Sequence, residues 1–488
     1  MVRIAHRRPL WRTALVALVG LIVLILPATA SAHAILIASD PPMGAVTVVA
    51  PAVLRMQFSE AITLLNPTAD CQVVSSTGKS IESAPCHVDT QNVRQLDAPL
   101  QAHAPAGTYT VRYQLVSADS HVVGAALAFA IGHGPVGLPY LGNRPGQGPG
   151  ETSVWEVSAR YFELIGLGGL LGLIAFRWLV WRPAWGSGRR HEQLSAADRE
   201  AALGWGRDLF WTAFGVLAVG SMIAEGYLLV VYSATALGTS VTRALGDTSG
   251  IGTVLSGTRF GSLIQYRGAL LFVLFALGAW QFLAEFGSSS TPRPPSPTGG
   301  RIPSALMAIL ILGVLWGISS QGHASQAPAH LLQEIADVVH LGSAAIWIGG
   351  LALLVIVLWR LPKAVPGAGA AVATDVLAQF SRIALICVAA VVLTGTVRTI
   401  GELSTPSQLW TTTYGQCILI KIGLLCIAGA LALRNRRITL TLEHRTTAHS
   451  GALALVRRLA MLELSVALVI LVVAALLVAE VPGRVPGT

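Results

Sequence analysis

The sequence predicts two parts in one chain, an all-β sandwich or barrel followed by an α-helical polytopic membrane bundle of about eight helices. Three observations predict it. Of 488 residues, 53% are hydrophobic and only 12% charged, against about 25% charged in an ordinary soluble domain. Short alternating runs parted by turn residues lie between residues 33 and 134. Long apolar runs fill most of the chain after residue 154.

The N-terminus reads as a signal peptide, residues 1–32. Arg3, Arg7, Arg8 and Arg12 precede an apolar core from Ala14 to Leu26. Pro27 breaks that core, and Ala30-Ser31-Ala32 has the small-x-small form of a cleavage site. The core is short for a membrane span, which needs about 20 residues. An uncleaved anchor is the alternative. Cleavage after Ala32 makes His33 the mature N-terminus.

The β-domain is placed at 33–134. Its strand-like runs are VLRMQF, CQVVS, YTVRYQLVS and ALAFAIG. Asp40-Pro41-Pro42, Ser76-Thr77-Gly78-Lys79 and Pro105-Ala106-Gly107 supply turns. Strands at this spacing suggest an antiparallel sandwich or barrel. Cys71 and Cys86 flank the Ser76–Lys79 turn, so a hairpin would set them nearly opposite each other. An exported domain sits in an oxidising space, which makes a disulfide between them reasonable; two buried thiols are the alternative. Residues 135–153 read as a Gly/Pro-rich linker.

The membrane domain is placed at 154–481, with spans near 154–181, 207–234, 263–285, 303–320, 331–359, 373–399, 413–434 and 455–480. With the β-domain outside, the loops expected inside carry clusters such as Arg189-Arg190, Arg360 with Lys363, and Arg434 with Arg436 and Arg437. The loops and tail expected outside hold only Arg243, Arg259, Arg398 and Arg484. That asymmetry follows the positive-inside rule and puts both the β-domain and the C-terminus outside. The net charge of +9 therefore reports topology. The β-domain itself is slightly acidic, which argues against a nucleic-acid partner. No P-loop is present, so no nucleotide-driven pump is expected.

Polar groups inside a bilayer are costly and usually functional. The richest group is GHASQAPAHLLQEIADVVHLGSAAIWIGG, Gly322–Gly350. His323 is expected to end the fourth helix and His330 to begin the fifth. Glu334, Asp337 and His340 follow His330 at offsets 4, 7 and 10, one helical stripe about 15 Å long. Imidazole and carboxylate suit Cu, Zn or Ni. The loop holds no Lys or Arg, so nothing near it is expected to repel a cation. Solvated loop histidines and a proton relay are the alternatives. Other intramembrane polar residues are Arg160, Glu163, Glu225, Arg382, Lys421 and Glu463. Lys421 or Arg382 is expected to pair with Glu225 or Glu463, with the assignment open. Met222, Met461, Cys387, Cys417 and Cys426 are expected to pack in the core; for Cys387, Met222 and Met461 the alternative is a soft ligand for Cu(I).

In SADSHVVG, Asp119 and His121 stand two apart. In a strand they would share one side and face one metal; surface solvation is the alternative. A free His33 would add an amine and an imidazole, both good Cu(II) ligands.

HAILIASDPPMGA, QFSEAI and GTYTVRYQLVSADSHVVGAALAFAIG resemble the CopC family of extracytoplasmic copper proteins over about 100 residues. GHA at Gly322–Ala324 and HLGSAAIWIGG at His340–Gly350 resemble the CopD family of copper transport membrane proteins. The fused order resembles CopCD-type copper importers. The first resemblance implies a Greek-key, cupredoxin-like or Ig-like β-domain. It also implies Cu(II) on His33, Asp119 and His121, and in some members on the Glu of Phe-Ser-Glu, here Glu60. Some members have a methionine-rich Cu(I) site; with only Met43 and Met56, this domain looks like a Cu(II)-only version.

The expected function is copper uptake across a bacterial cytoplasmic membrane, without catalysis. Cu(II) would pass from the β-domain to His323 and His330, then along Glu334, Asp337 and His340 as Cu(I) or Cu(II). Expected partners are copper ions, the lipid bilayer and a cytoplasmic copper chaperone. Copper resistance by sequestration outside the cell uses the same parts. A haem-bearing membrane oxidoreductase is the reading from another class; it needs paired histidines at one depth.

Overall fold

In the segment VLRMQF, Leu54, Met56 and Phe58 are all fully buried while Arg55 is exposed. That alternation is what a pleated strand with one face on a core requires. A computed structural model describes residues 34–118, 120–132, 136–137, 153–187, 194–286, 301–321, 330–443 and 450–479. The expected signal peptide and most of the expected linker lie outside the described residues.

The strands are β1 (Leu36–Asp40), β2 (Val46–Thr47), β3 (Val53–Phe58), β4 (Ile62–Thr63), β5 (Cys71–Ser75), β6 (His87–Val88), β7 (Gln95–Pro99), β8 (Gly107–Ser117) and β9 (Val122–Ile131). One sheet has the order β1-β3-β7-β6. The other has the order β2-β9-β8-β4, with β5 also pairing β8. The β8–β9 hairpin sets the register, from Gly107 opposite Ile131 to Val116 opposite Val122. Leu54, Phe58, Leu96, Val111, Leu127 and Phe129 share one core, and Phe58 meets Tyr113 edge-on at 5.3 Å. Cys71 and Cys86 are disulfide-bonded across 15 residues.

The helices are α1 (Val154–Ala175), α2 (Arg182–Ser187), α3 (Ala196–Ala236), α4 (Val241–Gly246), α5 (Thr248–Gly257), α6 (Arg259–Phe286), α7 (Arg301–Ser319), α8 (His330–Ala364), α9 (Gly369–Glu402), α10 (Gln408–Thr411), α11 (Thr413–Glu443) and α12 (Ser450–Ala479). A π-helical turn, Phe176–Trp181, joins α1 to α2. Ser195 starts α3 by accepting the Asp198 N–H at 3.1 Å. Among the described residues, seven helices are long and apolar enough to cross a membrane. The run expected at 303–320 is α7, whose apolar part, Ala305–Ser319, is shorter than the rest.

α8 packs against α1, α7, α9 and α12. Small residues let α1 and α8 touch backbone to backbone. A Cβ on Gly172 would stand 2.7 Å from both Ala345 O and Gly349 Cα. This is the small-xxx-small crossing of membrane helices.

The β-domain rests on the bundle through the β4/β8/β9 end. Val116, Leu65 and Val122 pack with Leu228, Val231, Val254 and Phe260. Gln114 Nε2 donates to Thr235 O at 2.9 Å and Ala236 O at 3.0 Å, carbonyls at the C-terminal end of α3.

Candidate functional site

The β-domain end that meets the bundle also carries the expected copper motifs. Ile62 opposes Ser117, which sets the Ser59–Glu60 turn beside the β8–β9 turn. Ile35 and Ser59 bind each other twice, Ser59 N to Ile35 O at 2.9 Å and Ile35 N to Ser59 Oγ at 3.0 Å. The chain two residues after His33 is therefore fixed to the residue before Glu60. Glu60 is buried. Ser117 N and Oγ both donate to His121 O, at 2.8 and 3.1 Å. Ser120 turns through the left-handed region at φ 71°, uncommon for a residue with a side chain.

Asp-x-His would put both side chains on one side if it lay in a strand. Instead Ser120 and His121 lie in the turn between β8 and β9. The left-handed Ser120 reverses the chain, so strand alternation does not set the direction of these side chains. His33 and Asp119 lie outside the described residues.

A guanidinium ties this turn to the bundle. Arg259, at the start of α6, donates to Ala118 O at 3.3 Å and to Ser320 O at 2.9 Å. Ala118 precedes Asp119, and Ser320 leads into the segment bearing His323. His323 lies outside the described residues. α8 begins at His330, whose side chain is not described.

The α8 stripe is buried at Glu334, Asp337 and His340. Its surroundings differ from the expectation of a cation-free mouth. Arg398, read as an outer-loop residue, belongs to α9. Its Nη1 lies 2.6 Å from Asp337 Oδ1, and its Nη2 lies 2.8 Å from Glu402 Oε1. Tyr414 Oη donates to the other oxygen of Glu402. α9 runs as far as Glu402, so Arg398 and Glu402, four apart, pair on its buried face. Asp337 is thus neutralised by arginine, which weakens it as a metal ligand.

His340 is better placed. Its Nδ1 lies 3.1 Å from Thr394 Oγ1. That hydroxyl lies 2.6 Å from Ala390 O; when it donates there, the tautomer with the proton on Nδ1 completes the chain and leaves Nε2 its lone pair. A hydrogen bond on one ring nitrogen that frees the other is how proteins orient metal-binding histidines. Glu334 makes no ion pair among the described residues. Nor do three His, Cys, Asp or Glu side chains gather as a metal cluster among them. No second histidine side chain is described inside the bundle, so the pair that a haem would need is not found among the described residues.

Arg267 was missed by the sequence reading, although it lies four residues into an apolar run. It is fully buried. It meets Glu163 at 2.8 Å, Glu225 at 2.6 Å and Gln321 at 3.1 Å. Arg160 adds a contact to Glu163 at 3.1 Å. Two arginines and two glutamates cancel, joining α1, α3 and α6 to the residue two before His323. The expected pairings of Glu225 and Glu463 with Lys421 or Arg382 are therefore corrected. Glu225 pairs with Arg267, and Glu463 accepts hydrogen bonds from Trp347 and Asn435. Among the thiols expected in the core, Cys387 and Cys417 are buried, but Cys426 faces outward. Met222 is also exposed.

The fold and these clusters define a class: a polytopic membrane protein bearing its own disulfide-bonded β-domain. Within that class the two parts have distinct relatives. Residues 36–132 match the CopC domain family and residues 374–477 match the family described as Copper resistance protein D. The chain thus joins a CopC domain to a CopD domain. It is 25% identical over 444 residues to Copper transport protein CutJ of Bacillus subtilis (strain 168), covering 89% of this chain and 72% of that protein. It is 28% identical over 100 residues to Protein YobA of Escherichia coli (strain K12), covering 20% of this chain and 79% of that protein. Among solved structures, the β-domain resembles CopC from Methylosinus trichosporium OB3b at 20% identity and TM-score 0.18, over 20% of this chain and 93% of that one. PcoC, a methionine-rich copper resistance protein from Escherichia coli, matches at 20% identity and TM-score 0.18, over 20% of this chain and 99% of that one. The CopD match contains Thr394, Arg398 and Glu402, the partners that α9 presents to the α8 stripe.

Proposed function

We propose that this protein captures copper in its β-domain and passes it into the membrane bundle for uptake. The observation that carries this reading is Arg259, which holds the backbone before Asp119 and the backbone before His323 on one guanidinium. Capture and entry segments that are anchored together need no diffusing intermediate. Its similarity to a copper transport protein along most of the chain supports the same reading.

In this account the β-domain and the C-terminus face outward, in a bacterial cytoplasmic membrane. His33, Asp119 and His121 hold Cu(II), with Glu60 beside them. His323 and His330 receive the ion, and Glu334 and His340 lead it inward. Asp337 serves by holding Arg398 rather than by binding metal. Copper is cargo throughout, and its movement follows gradients or a cytoplasmic copper sink such as a chaperone.

Copper content of cells with and without the gene tests direction. Uptake predicts more cytoplasmic copper in cells that carry the gene. Sequestration outside the cell predicts copper retained on the β-domain with no rise in the cytoplasm, and that result would overturn the proposal.

A further inference from the structure

Most buried carboxylates of the bundle meet an arginine. Glu163 and Glu225 meet Arg267, and Asp337 and Glu402 meet Arg398. Glu463 on α12 does not. It is only 3% exposed. Trp347 Nε1 donates to its Oε1 and Asn435 Nδ2 to its Oε2, each at 3.2 Å. Among the described residues no Lys, Arg or His pairs with it.

The helices packed on α12 are α11, α1 and α8, and their charges are engaged elsewhere or remote. On α11, Arg434 and Arg437 are exposed, and Arg436 donates to Ser381 at 3.1 Å. Lys421 lies 14 residues from Asn435, about 21 Å along that helix. On α1, Arg160 and Glu163 belong to the Arg267 cluster, and Glu156 lies in the first turn. On α8, Arg360 and Lys363 are exposed at the far end, and Asp337 is held by Arg398. Glu334 and His340 lie 13 and 7 residues before Trp347. On α12 itself, Arg457 is half-buried and Arg458 exposed, both more than one turn away.

An ionised carboxylate without a counter-charge is far costlier in an apolar bundle than the neutral acid. Asn435 Oδ1 is likewise buried and has no hydrogen-bond partner. An amide presents a donor and an acceptor of nearly the same shape. Turned by half a rotation, Asn435 would offer Oδ1 to a carboxyl O–H at Glu463. The pair therefore suits both charge states. Its place also fits the path. Trp347 follows His340 by seven residues, on the same face and about 10 Å further along α8.

We propose that Glu463 is a proton-binding carboxyl, neutral at rest, that gives up its proton when a cation passes His340, with Asn435 turning to hold either state. The O–H bond breaks, the proton leaves to water, and the electron pair stays on the carboxylate to balance the cation. Nothing is oxidised or reduced. The choice of copper as that cation rests on the uptake reading; the proton site does not.

Infrared difference spectra of the full chain in liposomes test the site without copper. Wild type is expected to show a protonated-carboxyl stretch at neutral pH that is missing in Glu463→Gln. Glu463→Asp is expected to shift that band rather than remove it. Identical wild-type and Glu463→Gln spectra would overturn the proposal. In the same liposomes, copper is expected to release more protons from wild type than from Glu463→Gln; equal release would overturn the exchange. Wild type that takes up no copper would sink the uptake reading alone, and the carboxyl band would then decide the proton site by itself.

Discussion

Glu225 and Glu463 are the same residue type, buried in the same bundle, with opposite surroundings. Glu225 lies in the half nearer the β-domain and meets the fully buried Arg267 at 2.6 Å. Glu463, on α12, faces a deeper part of α8, where among the described residues it meets the indole of Trp347 and the amide of Asn435. The difference teaches that a buried acid in a membrane protein is read by its partner. An arginine locks the charge and ties helices together. Neutral donors leave the charge free to come and go.

The largest test of this contrast is Arg267→Met. It strands Glu163 and Glu225 without their shared cation, and breaking a buried pair in this way costs about 3–5 kcal/mol. Denaturant unfolding of the purified full chain in detergent should show that loss. Adding Glu225→Gln to Arg267→Met should recover part of it, because one uncompensated charge disappears; no recovery would mean that Arg267 acts by packing alone.

A smaller effect is expected at His340. Thr394→Val removes the acceptor for Nδ1–H and frees the ring to change tautomer or turn. Losing such a supporting partner weakens a metal site about 10-fold or more, so copper uptake should need correspondingly more copper while the folded protein persists. The smallest effect is on the stability of Glu463→Gln. The neutral amide keeps the shape and, with Asn435 turned, both hydrogen bonds, so unfolding should shift by less than about 1 kcal/mol. A loss as large as that for Arg267→Met would erase the contrast between the two acids.

Much of this could be read from the residues alone. The strand alternation of VLRMQF and CQVVS, the Cys71–Cys86 flanks and the His330 helix start need only local chemistry. The two-residue strands β2, β4 and β6 carry too little pattern to be read. The ion pairs were not legible, because pairing depends on how helices rotate against one another, and a one-dimensional pattern does not show which faces meet. Arg398 reads as a loop residue because polar residues at a helix end look like its boundary. Arg267 was passed over among apolar neighbours, although a lone arginine four residues inside such a run is itself a signal that buried acids await it. The turn at Ser120-His121 is hidden for a different reason. The left-handed Ser120 lets the chain reverse there, and Ser gives no warning of it as Gly or Asn would.

The central claim is that copper passes His340 on its way inward. Cells expressing His340→Ala at wild-type protein level, with β-domain copper binding intact, are the direct test. Loss of the copper accumulation that wild type supports is the result expected. Accumulation equal to wild type would contradict the account.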